Sequence, residues 1–276
     1  MGFRTKRRIF TFVAYILAFL ALFATLFPII WIFMISIKTQ RDAFAMPPVW
    51  VFKPVWNNYV RIWQEAGFAQ AFENSVVITL LGVFLALLAG IPAAYALNRI
   101  PFIGKKTLTI WLLISYMFPE FLFIIPMYVM YQKLGLYDTQ AGMALVYQVF
   151  VLPFAIWLLR SFFADVPIEL EDAARIDGCT RLQTLRLVYI PLTAPGIAAT
   201  AILTAIWIWN ELTIALALTF DAARTVTVAV AGFRGYASID WGGMTAASIA
   251  SIVPMLLFAA FAQRYIVEGL TLGAVK

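Results

Sequence analysis

Six long stretches almost free of charge limit what this chain can fold into. They cover 9–37, 74–98, 107–132, 139–159, 187–220 and 241–263, and only Glu120 and Glu211 interrupt them. A helix needs roughly 20 apolar residues to cross the hydrocarbon core of a bilayer, and each stretch is long enough. The sequence therefore predicts an all-α membrane protein with six transmembrane helices. Charged residues make up 12% of the chain and hydrophobic ones 63%, whereas a soluble domain carries about 25% charge. Little is left over for a soluble domain, so 1–276 reads as a single transmembrane domain.

Lysine and arginine set the orientation. With both termini inside, thirteen of the 20 basic residues fall on inner segments and seven on outer ones, as the positive-inside rule requires. The net charge of +6 is then topological and gives no reason to expect a nucleic-acid partner. The start "FRTKRR" has the charge of a signal-peptide n-region. The apolar run behind it is too long, however, and no A-x-A cleavage site precedes Lys38. It reads as a retained first span.

Several chemistries are excluded by residues that are missing. The chain has no histidine and one cysteine, Cys179. His-based metal sites, His-based acid–base catalysis and an internal disulfide all fall away. No metal site and no catalytic residue are expected. "RIPFIGKKT" is the nearest approach to a P-loop, but Arg99 stands at the first glycine and Lys106 at the Ser/Thr position. It reads as an inner loop, and no cofactor is expected on this chain.

Local patterns place the rest. In "WNNYVRIWQEAG", Trp56, Tyr59, Val60 and Trp63 share a helical face, which fits either an amphipathic helix at the outer membrane surface or a loop packed on the spans. Gly82, Ala86, Gly90 and Ala94 form a small-residue stripe that lets another backbone approach. Gly243, Ala247 and Ser251 repeat it. In "SYMFPEFLFIIPMY", Pro119 and Pro126 remove backbone donors and strand the carbonyls of Ser115 and Leu122. Glu120 between them costs roughly 2.5–3.5 kcal/mol at membrane depth. Broken helices with a buried acid suggest a translocation path. Candidate path residues are Ser115, Tyr116 and Glu120, with Trp207, Asn210 and Glu211 in the fifth span. Trp207 and Trp209 also fit interfacial anchors. Along unbroken helices, Glu120 would lie about 21 Å from Lys106, beyond the midplane. Glu211 would lie about 31 Å from Ile190, near the outer surface, either solvated or against another protein.

The stretch "ELEDAARIDG", Glu169 to Gly178, stands out in this oily chain because it holds four acids and an arginine. Pro167 suits a helix first turn, and Glu169, Glu171 and Asp172 suit its positive end. Leu170, Ala173 and Ala174 fall on one face, and Glu169, Asp172 and Ile176 on another. Gly178 has the character of a C-cap, and Thr180 with Gln183 has capping-box spacing. A second helix then runs through Leu182 and Leu185 to Pro191. The whole is a helix–glycine–helix elbow on the inner face. It is either a plain connection between spans or a docking element, with two small alanines and an acid for a foreign surface.

"EDAARIDG", nine residues and "VYIP" resemble the EAA loop of the permease subunits of bacterial binding-protein-dependent ABC importers. Asp replaces the usual Glu, Val an Ile and Ile a Leu, with the spacing intact. "NNYVRIW", "AYALNR", "WNEL" and "GLTLGAVK" extend the likeness to the carbohydrate-uptake type, in particular the smaller permease of maltose-type transporters. This resemblance implies a six-helix core in the bacterial inner membrane with both termini cytoplasmic. It implies a second permease chain, an ATPase dimer that holds ATP and Mg, and a periplasmic or surface binding protein for a sugar or related polyol or glycoside. The elbow would be the coupling helix, with Glu169, Glu171, Asp172, Ala173, Ala174, Ile176 and Gly178 at the ATPase cleft. Asp172 would pair with an ATPase arginine, and the tail at Lys276 would also reach the ATPases. Two rival readings are a membrane-embedded enzyme acting on lipid or isoprenoid substrates and a secondary transporter. The first would show clustered acids or histidines at the membrane surface, and the second would not need the elbow.

Overall fold

The computed structural model describes residues 3–64, 67–235 and 239–272; for 3–9, 262 and 264–272 the description covers the backbone alone. Helices run in the order α1 (Phe3–Ser36), α2 (Gln40–Ala43), α3 (Asn57–Gln64), α4 (Phe68–Arg99), α5 (Lys105–Tyr116), α6 (Ile124–Leu134) and α7 (Gln140–Ala164). They continue as α8 (Ile168–Ile176), α9 (Arg181–Thr184), α10 (Ile190–Leu192), α11 (Ala194–Asn210), α12 (Thr213–Leu218), α13 (Val226–Gly232) and α14 (Trp241–Leu272). Among the described residues, β structure amounts to one isolated bridge, Arg234 to Ile239.

Among the described residues, four helices are long and apolar enough to cross a membrane: Phe10–Ser36, Phe68–Arg99, Gln140–Ala164 and Trp241–Phe261. Two further candidates are bent pairs. Lys105–Tyr116 and Glu120–Leu134 meet at 95°, and Arg181–Leu192 and Ala194–Asn210 at 80°. The spans read over 107–132 and 187–220 are thus each bent, the first within the stretch where Pro119 and Pro126 predict a break. Proline explains both breaks, since it lacks an N–H and its ring clashes with the preceding turn. At the first, α5 stops before Pro119, and the N–H of Phe118 reaches the Ser115 carbonyl at 3.3 Å, so that carbonyl is not stranded. At the second, Leu185–Tyr189 widens into a π turn just ahead of Pro191, and Pro195 follows one turn later.

The chain divides into two compact units, Met1–Ala69 with Val230–Ile252 and Gln70–Ala229 with Val253–Lys276. In the first, α3 is a clip. Asn58 donates to the carbonyls of Ser36 and Lys38 at 2.8 and 3.3 Å, closing the end of α1. Arg61 pairs with Asp240 at 2.5 Å, and Asp240 caps α14 through the N–H of Gly243 at 3.0 Å. Ile62 is the residue α3 buries, while Trp56, Val60 and Trp63 stay exposed. Lys38 is buried too, donating to the Val49 carbonyl at 2.7 Å beside the rings of Trp31 and Phe52.

In the second unit α7 is the centre, packed most closely against α11 and α5. Its inner residues Met143, Val146, Tyr147, Phe150 and Ala155 join Ile78, Ala86 and Ile208 in one core. Gly82 and Ala86 of the α4 stripe face this core, and Ala94 belongs to a second cluster with Leu159 and Tyr189. A Cβ on Gly82 would lie 2.6 Å from Ile208 Cδ1, and Ala86 and Ala94 are fully buried. A polar knot ties one end of the unit. Asn74 bonds to Gln140 and to the carbonyls of Ala222 and Arg224. Asp138, at φ 55°, accepts four backbone N–H groups from Phe220 to Ala223 at 2.9–3.1 Å.

Candidate functional site: the acidic elbow and the broken third helix

Helix α8 ends where the glycine requires. Gly178 has φ +85°, a left-handed conformation with no steric cost for glycine. The N–H of Cys179 reaches the Ala174 carbonyl at 2.9 Å, and that of Gly178 reaches Arg175 at 3.1 Å. This is the paired arrangement that satisfies a helix's last carbonyls. The chain restarts at once. Thr180 N–H donates to Gln183 Oε1 at 2.7 Å, and Gln183 N–H donates back to Thr180 Oγ1 at 3.4 Å.

The two faces of α8 have different fates. Glu169, Asp172, Ala173 and Ile176 point outward and are exposed, at i, i+3, i+4 and i+7. Glu171 and Ala174 are buried. The resemblance puts Glu171 at the ATPase cleft, and the face reading puts Ala173 beside Ala174; the structure turns Glu171 and Ala174 inward and leaves Ala173 exposed. Glu171 accepts hydrogen bonds from Tyr95 at 3.1 Å and Tyr189 at 2.8 Å. Arg99 Nε lies 3.5 Å from the same carboxylate. The Arg99 guanidinium also donates to the Val166 carbonyl and lies over the Tyr189 ring, while Tyr95 and Tyr189 meet edge to face at 4.9 Å. One carboxylate therefore ties α8 to the end of α4 and to the π turn. Lys276, the remaining residue of the coupling set, lies outside the described residues.

This latch was only half legible. Tyr95, Arg99 and Tyr189 sit inside "AYALNR" and "VYIP", but their roles were not. The available signal was the four-residue spacing of Tyr95 and Arg99, which puts an aromatic hydroxyl and a cation on one face of a span.

The path candidates divide as well. Glu211 is buried, not solvated at a surface. It ends α11 and caps α12, accepting the N–H of Ile214 at 2.7 Å, that of Ala215 at 3.1 Å and the Tyr147 hydroxyl at 3.0 Å. Trp207 packs between Tyr147 and Phe150. Ser115 and Asn210 donate to carbonyls of their own helices, Leu112 at 2.9 Å and Ile206 at 2.8 Å. Tyr116 stacks on Phe154 at 5.8 Å. Glu120 opens the 3₁₀ turn after the break, half-buried. The space beside it, walled by Phe123, Val146, Phe150 and Ile214, is about 10 Å³. Small-molecule sites usually enclose about 300–1,000 Å³, so the second unit on its own encloses no sugar site at Glu120. Among the described residues no group of three or more potential metal ligands converges.

Residues 82–271 match the family described as the inner membrane component of binding-protein-dependent transport systems. The trehalose transport system permease protein SugB of Mycobacterium tuberculosis is 40% identical over 257 residues, covering 91% of this chain and 92% of that protein. The trehalose/maltose transport system permease protein MalG of Thermococcus litoralis is 36% identical over 255 residues, covering 91% of each. Among solved structures, a bacterial ABC transporter involved in the import of the acidic polysaccharide alginate superposes with a TM-score of 0.78 at 25% identity, covering 94% of this chain and 97% of that one.

Proposed function

The chain belongs to the family of inner membrane components of binding-protein-dependent transport systems, and we propose that it is the permease subunit of an ATP-driven importer of a sugar or related polyol or glycoside. The family is an inner-membrane one and its members are not enzymes; ATP and Mg belong to partner ATPases. The sugar class is supported by the relatives, which are named for trehalose, maltose and diacetylchitobiose. In this reading each bent pair is one span, giving six, and both termini lie in the cytoplasm. A second permease, an ATPase dimer and an external binding protein complete the assembly.

The observation that carries the mechanism is the two-faced elbow. Its inner face is fastened to two spans through Glu171, and its outer face presents Asp172, small Ala173 and a bare Ile176. A rigid element with one face bonded to the spans and the other free can pass displacement from a partner with little slack. Asp172 would meet a basic group on the ATPase, with Glu169, Ala173 and Ile176 beside it. The path would form against the second permease, with Glu120 as a lining residue of this chain. Trp207 and Glu211 would shape the path through packing rather than touch substrate.

The test is ATP-energised uptake of a labelled disaccharide by the reconstituted transporter with its binding protein. Asp172→Lys places like charges across the contact, and breaking a buried pair costs about 3–5 kcal/mol. Uptake and ATPase association should fall at least 100-fold with normal membrane insertion. Full transport by this variant would remove the coupling role, and a binding protein that retains no sugar would remove the substrate class.

A further inference from the structure

Where α5 begins, three cations gather around one opening in the second unit. Lys105 and Lys106 start the helix and Arg160 approaches from α7, lining a recess of about 590 Å³ with no carboxylate in its wall. Gly104 precedes α5 and gives it no side-chain cap, so the positive end of the helix is open to the same recess. Lys105 is occupied, donating to the Asn98 carbonyl at 3.1 Å. Lys106 is exposed. Arg160 makes one long bond, from Nη1 to Thr109 at 3.4 Å, and its Nε is buried with no hydrogen-bond partner.

A second cavity adjoins the first. Between α5 and α7 runs a groove of about 190 Å³ with Leu112, Leu113, Tyr116, Phe154 and Trp157 in its wall. Thr109 and Arg160 line both spaces, so the cationic recess and the apolar groove lie side by side. From Thr109 to Tyr116 the groove follows α5 for about 10 Å. Trp157 in the groove wall is exposed, as is Trp111 on α5, and tryptophan favours the headgroup level of a bilayer.

We propose that this pair of cavities binds an anionic phospholipid. The phosphate sits at Lys106, Arg160 and the open end of α5, where each N–H bond to it is charge-assisted. The upper part of one acyl chain fills the groove between α5 and α7. Basic pockets between spans suit lipid head groups for this reason, and a free anion would have no use for the groove. The inference rests on the chain's place in a membrane and not on the sugar or the coupling role.

The test is native mass spectrometry of the whole transporter, titrated in mild detergent with phosphatidylglycerol or phosphatidylcholine. Phosphatidylglycerol should stay on the permease, and phosphatidylcholine should not. Each cation contributes about fivefold, so Lys106→Gln should weaken retention about fivefold, and Lys106→Gln with Arg160→Gln about 25-fold. Lys106 has no contact to lose, which keeps the single variant readable if the double one is unstable. A photoreactive amino acid at Leu113 should crosslink to lipid. Equal retention by the variants, displacement of the lipid by inorganic phosphate at matching concentration, or crosslinking of Leu113 to a protein partner would each overturn the site. A transporter inactive toward every sugar still reports lipid retention, so the two readings fail separately.

Discussion

Glu171 and Asp172 are neighbours in the chain, yet one is buried and the other exposed. Asp172 is solvated and free to meet a partner. Glu171 is buried against two phenols and a guanidinium, so it positions the elbow. Glu171→Ala would leave the Arg99 charge and two hydroxyls without their acceptor, at a cost of about 3–5 kcal/mol. We expect a lower thermal midpoint together with ATP hydrolysis no longer matched by uptake. A purely stabilising contact would lower both activities in the same proportion. Asp138 allows a pH test. Burial pushes its carboxyl up, but the four N–H donors from Phe220 to Ala223 outweigh that and hold it below its ordinary 3.8. The stability this contributes is complete above about pH 5 and drains away as pH falls through the folded value. The melting difference between wild type and Asp138→Asn in detergent should be constant from pH 8 to 5 and shrink below pH 4. A gap that does not change down to pH 3 would show that the charge is irrelevant.

At the scale of elements, the informative features are where helices stop. Pro119 ends α5, Pro191 and Pro195 bend the chain into α11, Glu211 separates α11 from α12, and Gly178 turns α8 back. The glycine can be tested in isolation because a Cβ there meets nothing within 4 Å. Any penalty comes from the backbone alone. Alanine in this left-handed conformation costs about 1–2 kcal/mol, and asparagine tolerates it better. The thermal midpoint should drop for Gly178→Ala and stay near wild type for Gly178→Asn. Equal losses would mean that the position is governed by a partner surface rather than by φ.

For the whole molecule, much apolar surface has no cover within the chain. No residue in the most apolar window of Phe10–Ser36 is buried, and Ile125, Leu256 and Phe261 also stand exposed. Apolar surface on this scale requires lipid or another membrane subunit. The proposed topology is checked by Cys179, the single thiol, half-buried just after the elbow glycine. With the elbow in the cytoplasm, a membrane-impermeant maleimide should label it in inverted vesicles stripped of ATPase and leave it untouched in intact spheroplasts. Labelling from outside would reverse the orientation.

Hydrophobic length, proline and capping chemistry are local properties, and they were legible in the residues. The apolar stretches marked the six candidate spans, "ELEDAARIDG" marked the elbow, and Gly178 with Thr180 and Gln183 marked its turn. What depended on distant residues was not legible. Glu171 turns inward because Tyr95, Arg99 and Tyr189 arrive from α4 and the π turn. Glu211 is buried because Tyr147 and the N-terminus of α12 satisfy its oxygens. Asp138 carries no mark in the sequence, and its role comes from the 220–223 backbone that closes around it. A charge takes its role from whatever desolvates and bonds it, and in these three cases those groups come from other elements. Spacing along one helix decides which residues share a face, and only the tertiary structure decides what that face meets.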